Sequence, residues 1–328
     1  MSSPSERLTG IESATAARKL RVAVAEGSLS GLLTSWMLLK VMIPTMAVVQ
    51  VLRLTGLLDL IAAGAAPAMS LFRLPGEASL VLITGALVNI YAAIAVAVNI
   101  PLTAKGMTIL AIMVLIAHNL IVETAVQSRA GTPAPVTLSV RLAASVLAGL
   151  VFSRLVPEKG GLLVRAGMPM ESANWKGILA ANSLSLAKIV VIVVCLMVIV
   201  QTMREFGILD RITQALGVPM KLLGMDGRTS FVAAVGLVLG LAYGAGLIIE
   251  ETRRSAIGRR EILATNLFLG TNHALIEDSL VFAAVGASLW WIVPGRLIYG
   301  ALFLRVAMPL VLLLWTPSGT PEAGANLE

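Results

Sequence analysis

His273-Ala274-Leu275-Ile276-Glu277-Asp278-Ser279 lies inside an apolar run late in the chain, and His118-Asn119-Leu120-Ile121-Val122-Glu123-Thr124 holds the same place in an earlier one. His, Leu and Ile coincide, Glu123 answers Asp278, and Thr124 answers Ser279. The correspondence extends upstream. Arg53-x-x-Gly56-x-Leu58-Asp59-x-Ile61 returns as Arg204-x-x-Gly207-x-Leu209-Asp210-x-Ile212, with Gln50 and Gln201 at the same distance before each. Pro67-x-x-x-Leu71 matches Pro219-x-x-x-Leu223, and Gly76-x-x-Ser79 matches Gly227-x-x-Ser230, with a few residues inserted in the second-half connection. A repeat at this spacing reads as a duplicated unit, and duplicated halves enclosing a site between them are a recurrent transporter design.

The solvent around this duplication is lipid. Charged residues make up 13% of the chain, hydrophobic residues 57%, and mean hydropathy is +0.90. A soluble domain carries about a quarter charged residues. Apolar runs matching the bilayer thickness fall at Gly31–Leu52, Ala78–Ile100, Met107–Val126, Val136–Val156, Leu184–Met203, Ser230–Ile249, Ile262–Gly286 and Leu289–Leu314. The semi-polar stretches Gly56–Leu74 and Gly207–Met225 are too polar to span and belong at the interface or re-enter.

The expectation is therefore an all-α polytopic membrane protein with two duplicated helical repeats of about four membrane segments each, plus interfacial or re-entrant helices. Residues 1–30 form a cytoplasmic N-terminal segment in which Ser13–Glu26 suits a short surface helix, and 31–156 form the first repeat. A linker spans 157–182, the second repeat covers 183–315, and 316–328 make a disordered tail.

Net charge of +7 and a pI near 10.0 come from Lys and Arg lying between the apolar runs, so they read as topology signals and not as a nucleic-acid surface. If each half spans four times, Arg18 to Arg21, Lys105, Arg154 to Lys176 and Arg253 to Arg260 share one side, which positive-inside reasoning makes cytoplasmic with both termini. Arg204, Arg211, Lys221 and Arg228 then fall outside or in the interface. If one segment per half is instead a re-entrant hairpin, each repeat crosses an odd number of times and the halves are inverted. The expected location is the bacterial plasma (inner) membrane, multi-pass. Cys195 is the single cysteine and lies in an apolar run, so there is no intramolecular disulfide.

Ionisable groups at membrane depth face a cavity, a partner or a pathway. On a continuous helix His273 and Glu277 share a face, with Asn266, Asn272 and Asp278 on an adjacent strip, while His118 and Glu123 are the first-half counterparts. Gly236-x-x-x-Gly240-x-x-x-Gly244-x-Gly246, with Tyr243 inside it and Glu250 beyond it, marks either close helix packing or a broken helix exposing backbone to a ligand. The candidate binding residues are thus His273, Glu277, Asp278, Asn272, Asn266, His118, Glu123, Tyr243, Gly244 and Glu250, with His273 and Glu277 the candidates for any metal. Two bland alternatives stand beside them: a histidine hydrogen bond that only holds the bundle, and Glu250 as an interfacial partner of Arg253 or Arg254.

Asn272-His273-Ala-Leu-Ile-Glu277-Asp278, the Tyr243-Gly244-Ala-Gly246 run, and the Gly-x-Leu-Asp and Pro-x-x-x-Leu pattern resemble the nucleoside recognition, or Gate, domain. That domain occurs in spore maturation proteins A and B and in the membrane part of ferrous iron transporter B, and is related to part of the concentrative nucleoside transporters. The resemblance runs from about Lys40 to Leu314, once per half, and is more specific in the second, since Asn119 and Val122 stand where Ala274 and Glu277 do. It implies a transport-related role. No Gly-x-x-x-x-Gly-Lys-Ser/Thr occurs, so the GTPase portion of the iron transporters has no counterpart.

The function expected is a secondary permease for a small polar solute, nucleoside-like or an organic anion, with a site between the repeats. The alternatives are a divalent-metal permease, for which imidazole and carboxylate suit Fe, Mn or Zn, and a non-transport membrane assembly protein. No enzyme activity and no cofactor are expected, and a coupling ion would be a proton or sodium. The partners are the lipid bilayer, a small-molecule or ion substrate and a second copy of the chain.

Overall fold

The computed structural model describes residues 4–158, 175–223, 225, 227–253 and 258–314, and every regular element among them is helical. The first, α1 (Pro4–Leu54), passes through Pro44 without a break. Its 51 residues far exceed the roughly 20 that cross a bilayer. The short surface helix expected at Ser13–Glu26 is therefore continuous with the first span, because nothing between them breaks the helix.

A stripe of small residues holds α1 in place. Ala23, Gly27, Gly31 and Ser35, four apart and so on one face, are all buried. They meet α8 (Trp175–Glu205), which begins inside the stretch expected as linker. A Cβ on Gly27 would stand 2.6 Å from Val198 Cα, and one on Gly31 2.7 Å from Val194 Cα. Contact this close needs glycine, and in a membrane backbone proximity stands in for the absent hydrophobic drive. Because α8 numbering falls as α1 numbering rises, the two helices run antiparallel. Gln201 Nε2 donates to Glu26 Oε2 at 2.7 Å across the same seam.

Each long helix ends on a glycine at positive φ, Gly56 at 71° and Gly207 at 65°. There the chain turns into α2 (Leu57–Ser70) and α9 (Ile208–Leu222), whose first turns carry Asp59 and Asp210 on the positive helix end. The recurring Gly-x-Leu-Asp motif is this corner. On α9, Leu209, Thr213 and Met220 are buried while Asp210, Arg211, Gln214 and Lys221 are exposed, the pattern of an interfacial helix.

Four of the expected straight spans are interrupted. Ala78–Ile100 contains α3 (Ala78–Leu87) and α4 (Ile90–Ala97), parted at Asn89, whose side chain caps α4 by accepting from the backbone N–H groups of Tyr91 and Ala92. A Cβ on Gly85 would lie 3.2 Å from Ala93 Cβ. Eight residues along a straight helix is about 12 Å, so the chain folds back as a hairpin. Ser230–Ile249 does likewise: α10 (Gly227–Leu239) and α11 (Leu241–Arg253) are parted at Gly240, φ 101°, and a Cβ on Gly236 would lie 3.1 Å from Gly244 Cα. Arms of about 12–20 Å do not cross roughly 30 Å of hydrocarbon.

Met107–Val126 holds α5 (Ala104–Ala117) and α6 (Leu120–Arg129), bent by 41° at their break. Ile262–Gly286 holds α12 (Arg259–Asn272) and α13 (Glu277–Ala284). Hydropathy is blind to all four breaks because a window averaged over both arms stays apolar whichever way the chain turns between them. Of the other four expected spans, two are found as helices long and apolar enough to cross among the described residues: α7 (Ala134–Leu155), and a π turn, Trp291–Gly295, leading into α14 (Arg296–Leu314). The expected tail 316–328 lies outside the described residues.

Candidate functional site

Two helix breaks meet at the centre of the molecule. At the end of α5, His118 is extended and Asn119 takes φ 46°; at the end of α12, His273 is extended and Ala274 takes φ 47°. Asn tolerates the left-handed region better than most residues, whereas Ala does so at a cost of about 1–2 kcal/mol.

Breaking a helix in lipid frees backbone groups that have no water to bond. The freed N–H groups reach back to the hairpins: Asn119 N donates to Gly85 O and Leu275 N to Leu237 O, both at 2.8 Å. Two buried arginines take the freed carbonyls. Arg141 on α7 donates from Nε to Ile116 O and from Nη2 to His118 O, both at 2.9 Å, and Arg296 Nη2 donates to His273 O at 3.4 Å. Each arginine follows its histidine by 23 residues and is essentially inaccessible. Each also faces an acid: Arg141 Nη2 lies 2.7 Å from Glu123 Oε2, and Arg296 interacts electrostatically with Asp278. These arginines were not among the candidates read from the sequence. Continuing the repeat alignment past Thr124 and Ser279 finds them, since both are Arg-Leu at the same offset inside an apolar span.

The two histidines face each other. His118 Nδ1 lies 3.2 Å from Val114 O and His273 Nδ1 lies 2.8 Å from Leu269 O, each a carbonyl one turn back on its own helix. A carbonyl only accepts, so each Nδ1 carries the proton and each Nε2 points inward. Glu123 Oε1 stands 3.1 Å from His118 Nε2 and 3.2 Å from His273 Nε2, and the two Nε2 atoms are 3.4 Å apart. With neutral imidazoles, three acceptors therefore converge with no hydrogen among them, an arrangement that calls for a proton or a metal cation in their midst. Asp278 Oδ2 is farther off, 3.8 Å from His118 Nε2.

The separations suit one ion. Donors about 2.1 Å from a metal at tetrahedral or octahedral angles stand roughly 3.0–3.4 Å apart. The Nδ1 bonds to backbone carbonyls are the outer-shell support that orients metal-binding imidazoles. His118, Glu123 and His273 form the metal-capable group among the described residues, in place of the His273–Glu277 pair expected.

The break corrects the assumption behind that pair. His273 ends α12 and Glu277 opens α13, so they do not share a helical face. Glu277 interacts instead with Arg204 of α8 and with Tyr91 of α4, and Asp278 is the acid of α13 that approaches a histidine, His118. Asn272 Nδ2 donates to Phe268 O and Thr271 Oγ1, and its side chain packs on Gly300 of α14. Asn266 sits apart, donating to Ala130 O and Thr132 Oγ1 at the α6–α7 corner and accepting from Gln127 Nε2 at its own carbonyl. Gly244 packs on Gly236 and Leu269. The side chains of Tyr243 and Glu250 lie outside the described residues.

Broken helices, buried charges and short apolar hairpins define a helical membrane protein. Residues 186–288 match the family described as Gate, nucleoside recognition. Over 302 residues the chain is 32% identical to the uncharacterized membrane protein YvoD of Bacillus subtilis (strain 168), an overlap covering 89% of this chain and 96% of that one. The chain belongs to this Gate family of membrane proteins. No solved structure matches it.

Proposed function

We propose that the chain is a plasma-membrane permease for a small polar solute, nucleoside-like or anionic, and that His118, His273 and Glu123 form the cation-holding centre of a site between two inverted repeats. The observation that carries this reading is the meeting of two broken helices, one from each half, on a single buried trio. Inversion is supported by the antiparallel α1–α8 seam and by one hairpin per half, which leaves each half three crossings. That topology gathers Arg204, Arg211, Lys221, Arg228 and Arg253 to Arg260 on the cytoplasmic side with the N-terminal basic residues, and moves Lys105 and the 157–182 linker outside. Unpartnered buried atoms near the breaks favour a polar cargo. Arg296 Nε and Nη1, Arg141 Nη1 and Asn272 Oδ1 have no hydrogen-bond partner among the described residues.

The second reading makes a divalent cation the cargo, and the donor separations favour it. One experiment divides the two: thermal shift of the purified protein with nucleosides, organic anions, Mn²⁺, Fe²⁺ and Zn²⁺, repeated on Glu123→Gln and His273→Ala. A ligand at 100 times its Kd stabilises by about 2.7 kcal/mol. The permease reading expects a nucleoside or anion to raise the wild-type Tm and both variants to lose that shift. Stabilisation by a divalent ion alone, lost in the variants and weakening as pH falls and protons compete for Nε2, selects the metal reading. Ligand shifts that survive in folded variants would place the site elsewhere.

A further inference from the structure

A cleft of about 730 Å³ opens between the C-terminal end of α9, the first turns of α12 and the second half of α14. Its walls carry Leu223, Ala264, Leu304, Met308, Pro309 and Leu312, and three cations, Lys221, Arg260 and Arg305, line the same space. The one acidic lining residue, Glu261, already accepts from Gly258 N–H at 3.1 Å. The cations come from three helices far apart in sequence, so no helix periodicity explains their convergence. Arg305 is carried on α14, whose other residues at the cleft, Leu304, Met308, Pro309 and Leu312, are apolar. Apolar walls beside clustered cations match a molecule with an anionic head and a hydrocarbon tail. A free phosphate would use the cations and leave the walls unexplained.

We infer that this cleft binds an anionic phospholipid, its phosphate between Lys221, Arg260 and Arg305 and an acyl chain along α14. The cleft shares no residue with the histidine centre, so this inference is independent of the cargo.

The test is native mass spectrometry and thermal shift on the full chain in neutral detergent, titrated with phosphatidylglycerol, cardiolipin, phosphatidylcholine or inorganic phosphate. The variant is Lys221→Gln/Arg260→Gln. Lys19→Gln/Arg21→Gln, on the exposed face of α1, removes equal charge elsewhere as a control. The anionic lipids are expected to bind saturably and raise the Tm, with roughly thirty-fold weaker binding in the cleft variant, about fivefold for each of the two charges lost at the membrane surface. The control pair should stay within about twofold of wild type. Equal binding of phosphatidylcholine, an equal shift from phosphate alone, or unchanged lipid affinity in the folded cleft variant overturns the proposal.

Discussion

Arg141→Met tests the account of the helix break most directly. Met keeps much of the aliphatic bulk and removes the charge. Three contacts vanish together: the 2.7 Å ion pair to Glu123 and the bonds to Ile116 O and His118 O. Leaving one member of a buried pair uncompensated costs about 3–5 kcal/mol, and each stranded carbonyl about 1–3 kcal/mol. The histidines on the other side of Glu123 soften the first figure, so a net loss of about 4 kcal/mol is expected, a fall in apparent Tm on the order of 10 °C. The assay is thermal unfolding of Arg141→Met, Glu123→Gln and the double variant under identical detergent conditions. The double variant no longer strands a charge but still leaves two carbonyls open. It should therefore be more stable than the sum of the single losses predicts, with a coupling of about 1.5–3 kcal/mol. Additive losses, or a Tm change below about 2 °C for Arg141→Met, would refute the claim that the arginine holds the break together.

Three further outcomes follow from the same geometry. Gly300→Ala drives a Cβ into the Asn272 amide and should cost about 1–3 kcal/mol by thermal unfolding, while Gly300→Ala/Asn272→Ala should recover most of it. Ala274→Gly relieves a left-handed residue at φ 47° and should leave Tm unchanged or raise stability by up to about 1 kcal/mol, whereas Ala274→Val should lower it. In a Cys195→Ser background, a cysteine at Glu158 should be labelled in intact cells by an impermeant reagent and one at Ser255 should not. Protection of both sites would restore four crossings per half.

The sequence was legible where chemistry leaves a compositional mark. Apolar runs placed the chain in the membrane, and the matched His-x-Leu-Ile-x-acid segments pointed to the residues that converge, His118, Glu123, His273 and Asp278. It was not legible where direction matters. Asn89 and Gly240 sit in runs as apolar as any straight span, and a window of hydropathy scores a hairpin and a crossing alike. Placing Glu277 beside His273 assumed an unbroken helix, yet the left-handed Ala274 between them is an unusual choice that propensity would not suggest. Arg141 and Arg296 are legible as a matched Arg-Leu pair past the His-x-Leu-Ile-x-acid segments, but their carbonyl and carboxylate partners are not, because those contacts exist only once the helices break.

One methylene separates Glu123 from Asp278, and it sets a preference within the centre. Glu123 is long enough to touch both imidazoles, at 3.1 and 3.2 Å, whereas Asp278, in the matching place of its own segment, stops at 3.8 Å from one. Unequal reach leaves the imidazole pair on the carboxylate of the first half, and the acid of the second half stands back from it.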